Sequence, residues 1–325
     1  MNSNFRKTKK RFAVAVTGLS TVDIVVHPVD LQRAPGTDGL VQVEPIVLTT
    51  GGIVSNAGTA FAKLGQATAA VSAIGDDEWG RFLLKKYNEA GIDTSQVTVL
   101  PNTPSSSTIV LVDQSGSRSF FHCPGAPQLL TKEHFLSRLP FFAECQSMLF
   151  GYYSLFPQLE PDLPEIFEAI RSVGCMIALD TAGSGGTMKP LDAILPHVDI
   201  YFPSFNEALH QTKLENPVEQ IEHYRQCGAT GIVGVKLGAN GVILSDPFQE
   251  IIHIPATVPP GHIIDTTGAG DSCFAGFMTG LLNNLSTTDA AKLGTAVGAC
   301  SVTALGASSA IRNLPDSLKL AGLGN

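Results

Sequence analysis

The feature that most restricts this chain is an alternation. Short apolar runs at 148–151, 176–179, 200–202 and 231–235 are each followed by turn residues, and 160–172, 191–195 and 218–227 between them carry helical patterns. Strand–helix–strand order places consecutive strands parallel, because only a crossover returns the chain, and the crossing helices then cover both faces. Upstream, 12–16 and 68–73 read as buried strands and 79–90 as a helix stopped by Gly91. Downstream, 242–244 and 251–254 read as a hairpin and 288–305 as a helix. The expected fold class is α/β, with a mostly parallel central sheet and helices on both faces.

Two stretches leave that pattern. Residues 24–50 show no helical period and hold β-like pieces at 25–26, 40–43 and 46–48 among Pro28, Pro35, Gly36, Gly39 and Pro45. Residues 108–112 and 117–122 flank the turn-forming Asp113-Gln114-Ser115-Gly116, as the arms of a hairpin do. Together they suggest a small β-sheet lid formed by about 24–50 and 105–124. Residues 1–10 read as a disordered basic tail, followed by one domain over 11–325. The apolar run behind Arg6, Lys7, Lys9, Lys10 and Arg11 is broken by Thr17 and Gly18, too early for a signal peptide.

Charge and composition exclude several functions. A net charge of -8 argues against a nucleic-acid partner, whose phosphates would be repelled. No apolar run approaches the ~18 residues that a membrane helix needs. The six cysteines are scattered, with no CxxC pair, which fits reduced thiols in a cytoplasmic protein better than a zinc site.

The chemistry is concentrated in Asp265-Thr266-Thr267-Gly268-Ala269-Gly270-Asp271. Phe274, Phe277, Met278, Leu281 and Leu282 follow at helical spacing, so a loop becomes a helix here. Small residues at Gly268, Ala269 and Gly270 let backbone N–H groups approach a ligand, and a helix start adds its own unpaired N–H groups and positive dipole end. That combination suits a phosphate. Asp271 is out of place in an anion hole unless it does chemistry, as a base taking a proton from an attacking hydroxyl, or unless it caps the helix. The stretch lacks the third glycine and the early position of a dinucleotide fingerprint, and no Gly-Lys-Ser/Thr follows to make a P-loop.

A second small-residue opening lies at Thr50-Gly51-Gly52-Ile53-Val54-Ser55-Asn56. Gly52 would let a helix N-terminus approach a ligand and Asn56 offers both a donor and an acceptor to hydroxyls; a plain turn with a capping Asn is the other reading. Asp23 lies just past the end of the first strand, on the side where ligand crevices open in α/β sheets.

These stretches resemble the two signatures of the ribokinase-like, or PfkB, carbohydrate kinases. The first is Gly51-Gly52-x-x-x-Asn56-Ala57 through Leu64-Gly65, and the second runs from Asp265 to Asp271 and on to Phe274 and Gly276. Gly75-Asp76-Asp77-x-x-Gly80, Asn206-Glu207 and Lys236-Leu-Gly-x-x-Gly241 stand in the expected order, so the resemblance spans nearly everything from residue 11 onward.

That resemblance implies a ribokinase-like fold and an ATP-dependent kinase acting on a small sugar. Its lid often serves as a homodimer surface. Asp271 would be the base, with Gly268, Ala269 and Gly270 around the transferring phosphate. Asp23, Gly52 and Asn56 would bind sugar hydroxyls, and Lys236, Gly238 and Gly241 would lie along the ATP phosphates. Asn206 and Glu207 would organise Mg²⁺ through waters, and 296–300 would lie near the adenine. Many members also use K⁺. Here Asp265, Thr267, Ser301, Ala304 and Gly306 would supply its ligands, mostly by backbone carbonyl, with Ala310 where ribokinases usually have Ser.

Departures bear on the acceptor. Ile53-Val54-Ser55 replaces the Lys-Gly-Ala of the ribokinase loop, and Tyr152-Tyr153-Ser154 holds no acid where ribokinase has a glutamate. Gly125-Ala126-Pro127 replaces Gly-Ala-Asn, and Asp180-Thr-Ala-Gly-Ser184 is what remains of the Asp-x-Asn-x-Arg of fructokinases. No arginine is evident for a sugar phosphate. Tyr152, Tyr153 and Phe156 suit either stacking on a sugar or base, or packing. A nucleoside kinase of the same fold and a non-catalytic sugar- or nucleotide-binding relative are the alternative readings.

Overall fold

The computed structural model describes residues 10–32, 40–114, 116–183 and 185–324. Most of the expected tail lies outside them, as do Pro35, Gly36, Gly39, Ser115 and Ser184. Lys10 is anchored rather than free, since its Nζ donates to the carbonyls of Cys145 (2.9 Å) and Gly174 (2.8 Å).

The strands, in chain order, are β1 (Phe12–Gly18), β2 (Thr21–Val26), β3 (Val47–Gly51), β4 (Thr68–Gly75), β5 (Asp93–Leu100), β6 (Ser107–Val112), β7 (Arg118–Cys123), β8 (Cys145–Gly151), β9 (Met176–Leu179), β10 (Ile200–Tyr201), β11 (Ile232–Lys236), β12 (Val242–Ser245) and β13 (Ile251–Ile254). Nine form one sheet in the order β13-β12-β11-β10-β9-β8-β1-β4-β5, parallel from β11 to β5, with β12 and β13 an antiparallel edge. β1 is buried throughout, as a strand covered on both faces must be. Val14 and Val16 join Phe61, Phe274 and Leu293 in one core, and Ala15 joins Phe150, Phe167 and Tyr224 in the other.

The second sheet has the order β3-β2-β6-β7. Its two faces differ because side chains alternate along each strand. One cross-strand row is Thr49, Asp23, Thr108 and His122, and the next is Leu48, Ile24, Ile109 and Phe121. Successive rows face opposite ways, so one face is polar at Asp23 and the other carries an apolar row with Leu48, Ile109 and Phe121 exposed. This sheet starts at Thr21 rather than 24. The expected piece at 40–43 is not a strand.

Most expected elements are present. The helix expected over 288–305 runs Thr287–Ser301 and packs closely on Ala269–Leu282 through small residues such as Gly276 and Gly298.

Candidate active site

Part of the site sits at the carboxyl ends of the parallel strands, and Asp271 and Asp23 reach it from a helix start and from the small sheet. β8 delivers Tyr152, β9 delivers Asp180, β10 leads into Ser204–Glu207 and β11 ends at Lys236. Tyr152 follows β8, whose neighbour β1 leads the opposite way to β4, and at such a reversal of strand order α/β sheets open their crevice.

The helix Ala269–Leu282 begins after Gly268, which adopts φ +69° as its N-cap. No side chain caps it, so Asp271 is not the cap: it sits in the first turn, 5% exposed, with its carboxylate held from outside the helix. Its Oδ2 accepts from Asn56 Nδ2 at 2.8 Å and from the Tyr152 hydroxyl at 2.7 Å. Burial pushes the Asp271 carboxyl up; the Tyr152 hydroxyl, the Lys236 ammonium and Asn56 pull against it. Both partners bind the same oxygen, and Oδ1 has no partner among these contacts.

Lys236 Nζ lies 2.9 and 3.1 Å from the two oxygens of Asp180, their side chains 10% and 1% exposed. Burial disfavours the ammonium, but the fields of Asp180, Glu207 and Asp271 outweigh it and raise its pKa. A Cβ placed on Gly270 would stand 3.5 Å from Nζ, so the ammonium borders the backbone of the anion hole. A fixed cation and the N–H groups of a helix start, of which that of Ala269 already donates to the Thr266 carbonyl at 3.3 Å, can hold a phosphoryl group next to a base when they stand beside a buried carboxylate.

Gly51 and Gly52 are needed sterically. A Cβ at Gly51 would come 2.1 Å from Asp23 Oδ2, and one at Gly52, φ +79°, would come 2.3 Å from the Leu19 carbonyl. Asp23 thus lies against the start of the helix Gly52–Lys63 that carries Asn56. Burial lifts its carboxyl to about 6 against a hydrogen bond from Thr108. A carboxylate and a carboxamide near the base suit a polyhydroxyl ligand.

Other expected residues are more scattered. Glu207 Oε2 accepts from the Ser204 N–H at 2.7 Å in a capping box of the helix Phe205–Thr212, while Asn206 is exposed. Glu207 stays close enough to influence Asp180 and Lys236. Among the described residues no cluster of three His, Cys, Asp or Glu could hold a metal, so any Mg²⁺ here would draw most of its ligands from water and phosphate. Gly238 is exposed with open space at its Cβ position, ready for a close ligand. Gly241 instead serves the β11–β12 turn, where a Cβ would meet the Ile254 carbonyl at 2.0 Å. Residues 296–300 are buried within the helix pair. Tyr153 and Phe156 are core residues; Tyr152 alone reaches the site, as a hydrogen-bond donor.

The K⁺ set is only partly assembled. Asp265 Oδ1 accepts from the Thr267 N–H (2.8 Å) and from the Arg118 guanidinium, and Oδ2 from the Gly306 N–H (3.0 Å). Ser301 Oγ donates to the Gly298 carbonyl at 2.8 Å, and Ala304 and Gly306 lie in turns that follow. The carboxylate that the ion would need is already paired with a cation, so the residues do not fit a bound K⁺ as they stand.

The model of the pfkB family carbohydrate kinases matches residues 13–314. The chain belongs to that family. It is 27% identical over 277 residues to the ribokinase of Haemophilus influenzae, covering 83% of this chain and 86% of that protein. Among solved structures, the Arabidopsis thaliana ribokinase complexed with ribose and ATP superposes with a TM-score of 0.80 at 22% identity, over 95% of this chain and 98% of that one. A putative ribokinase II from E. coli in complex with ATP and Mg²⁺ gives 0.79 at 21% identity, over 96% and 99%. These likenesses establish the ribokinase-like fold, and the chain is a kinase of the carbohydrate family. Among the described residues no helix is long and apolar enough to cross a membrane.

Two site residues escape a reading of the sequence. Arg118 sits in a hairpin with no motif around it, yet reaches Asp265 across 147 positions. Phe120, 59% exposed, shares the site-facing side of β7 with Arg118 and His122. Only its period-2 alternation between two polar residues hints at this.

Proposed function

We propose that this protein transfers the γ-phosphoryl group of ATP to a primary hydroxyl of a small, unphosphorylated sugar or related polyol. The observation that carries the reading is the buried Asp271 carboxylate, held by Asn56 and Tyr152 at the mouth of a helix N-terminus that Lys236 borders.

On this reading Asp23, Gly52 and Asn56 bind acceptor hydroxyls, and Phe120 offers an aromatic wall above them. Asp271 accepts the proton of the attacking hydroxyl as the O–P bond forms. Tyr152 and Asn56 hold one carboxylate oxygen, which leaves the other for the acceptor. The N–H groups of 268–270 and the Lys236 ammonium face the charge that develops on the phosphoryl oxygens and the leaving ADP. Gly238 gives the ATP phosphates a close backbone approach. Mg²⁺, held through waters by Asn206 and Glu207, would neutralise phosphate charge. The small sheet acts as a lid, and its outer row of Leu48, Ile109 and Phe121 suits contact with a second copy of the chain.

A non-catalytic binding role is disfavoured by the same carboxylate, since a protein that only held ATP would do better without it. ADP release over a panel of sugars and nucleosides tests the proposal. Turnover with a pentose or hexose is expected. Turnover with nucleosides alone would reject the sugar acceptor, and no ADP from any of them would reject the kinase reading.

A further inference from the structure

Two loops build the anion hole, and each is tied down by a cationic side chain of this chain. The first loop, 265–270, is tied at Asp265 by Arg118, with side chains 10% and 23% exposed. Arg118 comes from β7, so the tie crosses from the small sheet to the main body. The second loop, 304–309, braces the first. Ala307 lies where a Cβ on Gly268 would be only 2.2 Å away, and its carbonyl accepts from Ser272 Oγ at 3.1 Å. Lys63, the last residue of the helix Gly52–Lys63, donates from Nζ to the carbonyls of Ser308 and Ser309, both at 2.9 Å.

A monovalent cation between such loops would do two jobs. It would neutralise Asp265, and it would gather carbonyl oxygens whose dipoles otherwise repel one another. Arg118 does the first, and Lys63 draws together the Ser308 and Ser309 carbonyls, which lie on the same second loop but outside the set expected for the ion, while Ala310 offers no side-chain oxygen and Ser301 Oγ is turned to Gly298. A guanidinium stays charged at any working pH and is already tethered, so no ion has to be recruited from solution.

We propose that Arg118 and Lys63 take the place of a bound monovalent cation, making the anion hole independent of K⁺. Because Arg118 rides on the small sheet, the loop is fully braced only when that sheet is down over the site. Arg118 is thus a positioning residue that acts through Asp265. The inference rests on the kinase reading above.

The test measures ATP binding by calorimetry, in Mg²⁺, with potassium chloride or tetramethylammonium chloride at equal ionic strength. Wild type, Arg118→Ala, Arg118→Lys and Lys63→Met are compared. Wild type should bind with the same Kd, within about twofold, in both salts. Arg118→Ala should bind on the order of tenfold more weakly in tetramethylammonium, the scale of one lost charge-assisted contact, and recover in part with added guanidinium. Arg118→Lys keeps the charge without the fork, should lie between the two, and carries the test if the Ala variant fails to fold. Wild-type binding that weakens about tenfold without K⁺ would overturn this inference and leave the kinase reading intact. So would wild-type affinity in all three variants. No ATP binding in either salt would overturn the kinase reading and this inference with it.

Discussion

Replacing Lys236 with Met removes the only cation among the described residues that pairs with Asp180, while keeping the length of the side chain. Asp180 is 1% exposed, so its carboxylate would be left buried with Glu207 and Asp271 as its charged neighbours. Breaking a buried pair by removing one partner costs about 3–5 kcal/mol. Unfolding entropy of about 2.1 cal/mol/K per residue over 325 residues turns that into a Tm lowered by about 4–7 °C. The loss should depend on pH in a definite sense. Burial already lifts Asp180 above its ordinary 3.8, with Lys236 pulling it back; without Lys236 it rises further. A carboxyl whose folded value is raised holds its proton more tightly when folded, so stability returns as pH falls through that value towards 3.8. The variant's deficit should be largest near pH 8 and shrink near pH 5. Asp180→Asn/Lys236→Met, with no orphaned charge at the pair, should recover most of the loss. Thermal unfolding of the three proteins at both pH values is the assay. A Lys236→Met protein within about 1 kcal/mol of wild type at pH 8, or one whose deficit ignores pH, would refute the reasoning.

Further outcomes follow from the same geometry. On the proposed function Asp23 binds the acceptor in its charged form, so KM for the acceptor should rise as pH falls through about 6, and Asp23→Asn should abolish that rise; an unchanged pH profile in the variant would dissociate Asp23 from the acceptor. Tyr152→Phe removes a hydrogen bond that lowers the Asp271 pKa, so the rising limb of kcat against pH should move to higher pH, and a limb that stays put would count against Tyr152 as a donor. Gly268→Ala forces a side chain into φ +69° against Ala307, so ATP affinity should fall on the order of tenfold with the fold retained by circular dichroism; unaltered affinity would place the anion hole elsewhere.

Much of this was legible in the sequence because the physics that sets it is local. Buried parallel strands are continuous apolar runs, and β1, β8, β9 and β11 stand out for that reason. β5 (DTSQVTVL) does not, because an edge strand is half-exposed and polar residues fill its open side. The helix Phe205–Thr212 was hidden by the double use of Glu207, which reads as a metal residue but also closes the capping box with Ser204. The helix over Thr287–Ser301 was overrun because the small residues of 304–307 resemble its own. At the site, the glycines and Asp271 declare themselves in one stretch. Tyr152 lies 119 positions from Asp271, and nothing in its spacing could reveal a hydrogen bond made only when the strand ends converge.

Substitution of Asp271 by Asn tests the central claim most directly, because the amide keeps the shape and a partner for Tyr152 but cannot take a proton. ATP binding should persist within a few-fold while kcat falls by about 10²–10⁴. Turnover within about tenfold of wild type, with ATP bound normally, would mean that the acceptor hydroxyl loses its proton to some other group.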